Sequence, residues 1–107
     1  MTPYTVAFAP EAREQLASIY RYIAAAASPN VALRFTNNIV AHCETLASFP
    51  NRGVPRSELR AGLRMTNFKG RTVIAYAVDE VACEVTIVGV FYGGRDFEAA
   101  LQEDSNE

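Results

Sequence analysis

Two apolar runs in the second half of the chain constrain the fold most. Thr72 to Val78 reads TVIAYAV, and Glu84 to Tyr92 reads EVTIVGVFY, with only five residues between them. The first run carries no charge and hardly alternates, which marks a strand covered on both faces and therefore central in a sheet. A join that short makes the two strands an antiparallel pair. Leu63 to Phe68 reads as a third strand, linked to the first run through a turn at Lys69-Gly70. Everything upstream must supply what covers this sheet.

The upstream half is helical in period. Tyr4, Val6 and Phe8 alternate with Thr5 and Ala7 as a short first strand, and Pro10 suits the first turn of a helix. Ala12, Leu16, Ile19, Tyr20 and Ile23 then form one apolar stripe. Ser28-Pro29 stops that helix and starts another, with Ser28 as its cap. Ala32, Phe35, Ile39, Cys43 and Leu46 make the second stripe, which Phe49 extends and Pro50 ends. Two stripes with a short join predict an antiparallel helical hairpin. Asn51 to Gly62 is irregular, broken by Gly53, Pro55 and Gly62. After Gly93-Gly94, residues 95–101 read as a short helix or an extended arm, with Phe97, Ala100 and Leu101 as a small apolar face. Residues 102–107 read as a disordered tail. The expected fold is α+β in the order βααβββ: the hairpin packs on one face of a mostly antiparallel four-stranded sheet, with a short C-terminal element. Residues 1–107 are expected to form one domain.

Charge is unevenly placed. Asn51 to Arg71 holds six of the ten basic residues, Arg52, Arg56, Arg60, Arg64, Lys69 and Arg71, against Glu58 alone, a net +5 in a chain of net −2. Residues 96–107 carry five acids and no base. A basic segment of this kind attracts phosphates, carboxylates or an acidic protein surface. The acidic remainder argues against strong direct nucleic-acid binding, which needs a broad basic face. No apolar run approaches the length of a membrane span, and the N-terminus has no signal-peptide pattern. A cytoplasmic location without membrane association is expected.

Neither a metal nor a cofactor is expected. Two cysteines, Cys43 and Cys83, are too few for a disulfide scaffold. His42 and Cys43 are sequence neighbours, so they do not share a helix face, and His42 is the only histidine. Metal-free RNA cleavage would need a base, an acid and cations on the phosphate. Arg64, Lys69, Arg71 and Arg95 are candidate cations, and Tyr92 a candidate proton-transfer group. None titrates near neutrality, and His42 lies on the hairpin, which places it away from them. The binding reading fits the arginines better, because a guanidinium fork pairs with a carboxylate through two hydrogen bonds. Arg56, Arg60 and Arg64, four apart, would share a face if locally helical.

Four segments, taken in order, resemble the RelE/ParE superfamily of bacterial toxins. They are YTVAFAPEAREQLASIYRYIA, ALRFTNNIVAHCETLASFPNRG, RSELRAGLRMTNFKGRTVIAYAV and VTIVGVFYGGRDFE. The resemblance spans about residues 4–101 and implies the same βααβββ fold. FPNRGVPRSELRAGLR, FKGRTVIAYAV and GGRDFE are more similar to the ParE side. That implies the toxin of a type II toxin–antitoxin system, which binds and poisons DNA gyrase without being an enzyme. Where many ParE relatives end the last strand with a histidine, this chain has Tyr92-Gly93-Gly94-Arg95-Asp96. The RelE alternative implies a ribosome-dependent mRNA endoribonuclease using Arg64, Lys69, Arg71, Tyr92 and Arg95. A third alternative is a non-toxic member that acts only in an antitoxin complex. The resemblance also implies a cognate antitoxin, in a heterotetramer or a larger complex. Candidate target-binding residues are Arg56, Arg60, Arg64, Arg71 and Arg95. Candidate antitoxin contacts are Met65 and Phe68, on a presumed edge strand, with Phe97 and Leu101.

Overall fold

A proline opens each of the two helices of the computed structural model, which describes residues 3–93 and Leu101. Helix α1 runs Pro10–Ala26 and α2 runs Pro29–Glu44. Proline lacks the N–H that a first turn leaves unpaired anyway, so it costs nothing there. The Ser28 hydroxyl accepts a hydrogen bond from Val31 N–H at 3.1 Å, which caps α2. A single 3-10 turn, Thr45–Ala47, follows α2. Phe49 lies beyond the helix and is exposed, so it does not extend the apolar stripe as its spacing suggested. Among the described residues, no helix is long and apolar enough to cross a membrane.

The strands are β1 (Thr5–Phe8), β2 (Val54–Pro55), β3 (Leu63–Phe68), β4 (Thr72–Asp79) and β5 (Glu84–Tyr92). The sheet order is β1-β5-β4-β3-β2. The meander β3-β4-β5 is antiparallel as expected, and β4 is central. Two features differ from the sequence reading. The sheet has five strands, because Val54 and Pro55 pair with Met65 and Arg64. And β1 pairs parallel to β5, in register Thr5 with Glu84 through Phe8 with Ile87. Both follow from long-range placement that local patterning does not encode.

Beside Ala75, β5 carries one extra residue: Ala75 faces Gly89 while Tyr76 faces Ile87, which leaves Val88 bulged. A methyl group on Gly89 would lie 2.6 Å from the Phe91 ring, so only glycine lets that ring fold back over the bulge.

Apolar residues bury both faces of the sheet. On one face Ile19, Ile23, Ile39, Cys43 and Leu46 meet Ile74, Tyr76, Val85 and Ile87. On the other, Leu59, Leu63, Met65, Ala75, Phe91 and Leu101 form a second cluster. The segment written off as irregular thus covers the face opposite the helices. This explains why TVIAYAV shows no alternation.

Candidate functional site

The basic segment does not form one patch. Strand β3 divides it, and its six residues span about 17 Å at the rise of a strand. Arg56, Arg60 and Arg64 lie before β3 or at its start, whereas Arg52 precedes the antiparallel β2 and lies back toward the far end of β3, near His42. Lys69 and Arg71 lie at the turn beyond its far end.

The loop end is built from successive turns. Leu59 N–H and Arg60 N–H both donate to Arg56 C=O, and Leu63 N–H donates to Arg60 C=O. Arg56, Arg60 and Arg64 therefore share no helical face. Arg64 has entered β3, and its guanidinium donates to Asn51 C=O at 3.1 Å. Its Nε is buried with no partner among the described residues. Arg60 donates to Leu101 C=O at 3.4 Å. Arg56 bonds Glu58 at 2.5 Å, which holds the Glu58 carboxyl below its usual range. Arg52 donates to Thr45 Oγ1 at 2.8 Å and lies 5.1 Å above the Phe49 ring.

The turn end is aromatic. Lys69 Nζ lies 5.6 Å from the Phe68 ring, and Arg71 lies 6.0 Å from the Tyr92 ring. Neither forms an ion pair among the described residues. Beneath them runs a row of rings: Tyr22 to Tyr92 at 6.2 Å, Tyr92 to Phe35 at 5.4 Å, Phe35 to Phe68 at 6.1 Å, and Phe68 to His42 at 5.3 Å. Cations over ring faces are attracted by the ring quadrupole and keep their outer side in water.

His42 is therefore not remote from the basic segment, which corrects the sequence reading. The fold of α2 onto β3 sets its ring against Phe68. Burial, and then the Arg52 charge, lower its pKa, so it is neutral at pH 7. Its Nε2 is buried without a partner among the described residues. Cys43 is fully buried and its thiol is pushed up to about 12 by burial. Cys83 sits in the β4–β5 turn at positive φ. No cluster of three metal-ligating side chains occurs among the described residues.

Of the antitoxin candidates, Met65, Phe68 and Leu101 are all buried. Met65 is not at an edge, because β2 pairs alongside it. Arg95 and Phe97 fall outside the described residues. Sequence reasoning missed the row of rings and Tyr22 in particular, which is 64% exposed. No sequence signal marked it, because no spacing rule joins residues from α1, α2, β3 and β5.

Comparison with known proteins places this geometry. The family model described as ParE toxin of type II toxin–antitoxin system, parDE, matches residues 6–97. Two solved structures are similar. One is a chromosomal ParDE toxin–antitoxin system from P. aeruginosa, with TM-score 0.71 at 20% identity, covering 83% of this chain and 95% of that one. The other is the RelBE2 toxin–antitoxin complex from Mycobacterium tuberculosis, with TM-score 0.66 at 26% identity, covering 85% and 99%. No curated protein matches.

Proposed function

Because the chain belongs to the ParE toxin family of type II toxin–antitoxin systems, we propose that it acts by binding DNA gyrase and is neutralised by a cognate antitoxin. Both similar structures are toxin–antitoxin systems or complexes, which supports an antitoxin partner. The observation that carries the binding reading is the setting of His42 and of Glu58, the one acid within the basic segment. Glu58 is bonded to Arg56. The His42 ring packs on Phe68 with Nε2 buried. Neither is available as a general base beside Lys69, Arg71 or Tyr92. The basic loop instead presents guanidinium groups held by backbone carbonyls, as docking on an acidic protein surface requires.

One observation favours a RelE-type ribonuclease as the second reading: Arg71 and Tyr92 are neighbours, a cation beside a phenol. Two assays on the purified chain separate the readings. Inhibition of gyrase supercoiling with intact translation supports the gyrase reading. Codon-phased cuts in translated messages, found by primer extension, overturn it in favour of the ribonuclease. Induction without antitoxin that leaves growth unchanged overturns both and leaves the non-toxic member.

A further inference from the structure

Leu101 fixes where the acidic end of the chain starts. Its side chain is buried with Leu59 and Leu63 on the sheet face opposite the helices. Its C=O accepts a hydrogen bond from the Arg60 guanidinium at 3.4 Å. Residues 102–107 read QEDSNE, with Glu103, Asp104 and Glu107 as acids and no base. They lie outside the described residues, but Leu101, the residue before them, is anchored on the basic loop.

Chain geometry limits where those acids can go. An extended residue advances at most about 3.6 Å, so the backbone of Glu103 and Asp104 stays within about 7 and 11 Å of Leu101. The arginines are close to that point and to one another. Arg60 is one turn from Arg56, whose C=O accepts from Leu59 N–H and Arg60 N–H. Arg64 pairs across the sheet with Pro55, the neighbour of Arg56. Lys69 and Arg71 stand beyond the other end of β3, about 17 Å away at the rise of a strand, out of reach of Glu103 and Asp104.

The charges match as well. Three arginines against Glu58 leave +2 over residues 56–64, and residues 102–107 carry −3. Attraction over about a Debye length, roughly 8 Å at physiological salt, survives screening. A tether makes the encounter intramolecular, with an effective concentration that a free acidic surface must outcompete. A guanidinium has several donors, so it can hold a backbone carbonyl and a carboxylate together.

We propose that residues 102–107 fold back over Arg56, Arg60 and Arg64 and act as a built-in competitor for the acidic surface these arginines dock on. The carboxylates of Glu103 and Asp104 exchange among the three guanidinium forks, and a partner must displace them to bind. The proposal rests on the docking role proposed above for the basic loop.

The test attaches a nitroxide at Asn106→Cys in the full chain carrying Cys83→Ser, since the remaining thiol of Cys43 is buried. Relaxation enhancement at the amides of residues 56–64 is read by NMR. The reference is the same labelled chain with Glu103→Gln, Asp104→Asn and Glu107→Gln, which keeps the tether and removes the charge. The neutral tail is expected to lose most of the enhancement, and about 0.5 M salt to do the same to the acidic tail. Equal enhancement in the two chains, or no effect of salt on the acidic tail, overturns the contact and leaves the docking role standing. In the supercoiling assay the unlabelled neutral-tail chain is expected to inhibit gyrase at about a threefold lower concentration than the unsubstituted chain. Equal or weaker inhibition by the neutral-tail chain overturns the competition. Failure of both chains to inhibit overturns the docking role, and the competition with it, while the relaxation measurement still decides the contact.

Discussion

The Tyr76 hydroxyl accepts a hydrogen bond from the Gly53 amide at 2.7 Å, and the side chain of Tyr76 is fully buried. A core side chain of the central strand thus pins the start of the basic loop. The backbone passes so close that a methyl group on Gly53 would lie 2.7 Å from both Met65 O and Tyr76 Oη. Removing the hydroxyl with Tyr76→Phe leaves a buried N–H unpaired and costs about 1–3 kcal/mol. Gly53→Ala forces backbone to move and costs a comparable or larger amount. Urea denaturation monitored by circular dichroism measures both, and an unchanged midpoint in either variant refutes the pinning.

His42 makes stability depend on pH. Its folded-state pKa lies below the unfolded value of about 6.5. Between those two values the unfolded chain binds more protons, so stability falls as pH drops through about 6.5 and levels off below the folded pKa. Above the unfolded pKa the contribution is fully present. His42→Leu should flatten the melting-temperature profile between about pH 7.5 and 5.5 relative to the unsubstituted chain. Parallel profiles for the two proteins would count against this.

The two thiols should differ sharply in reactivity. Cys43 is buried, with a pKa of about 12, whereas Cys83 sits in a turn and is partly accessible. Ellman's reagent should titrate one thiol in the native protein and both in denaturant. Rapid reaction of both in native buffer would show that the helix-face core opens readily.

The basic loop can be tested without dismantling the sheet. Arg60→Ala with Arg64→Ala removes two guanidinium-to-carbonyl hydrogen bonds, to Leu101 and Asn51. The stability cost is about 1 kcal/mol for each. The double variant should remain folded by circular dichroism and lose most of its toxicity on induction. A folded and fully toxic double variant removes these arginines from the target surface.

Much of the fold is legible in local patterning. The bounds of β3 and β5 and the Ser28 cap follow from apolar runs, breakers and capping chemistry. The site is far less legible. Lys69 and Arg71 read as two more charges in a basic run, yet Lys69 sits on the ring of its neighbour Phe68 and Arg71 on the Tyr92 ring that β5 supplies. His42 read as remote because its sequence distance from Phe68 carries no information about how α2 crosses the sheet. Met65 read as an edge residue because a two-residue strand containing proline leaves no periodic signal.

The sequence by itself determined the two helices, four of the five strands, their order and the ParE resemblance, since periodicity, caps and ordered motifs are properties of neighbouring residues. Only the tertiary structure decided that β1 lies parallel to β5 and stops short of its end. It also split the basic segment between the two ends of β3 and joined Tyr22, Arg71 and Tyr92 around one cleft. The physical reason is that strand pairing and helix crossing bring distant residues together through long-range burial, and no local pattern records which distant partner a side chain meets.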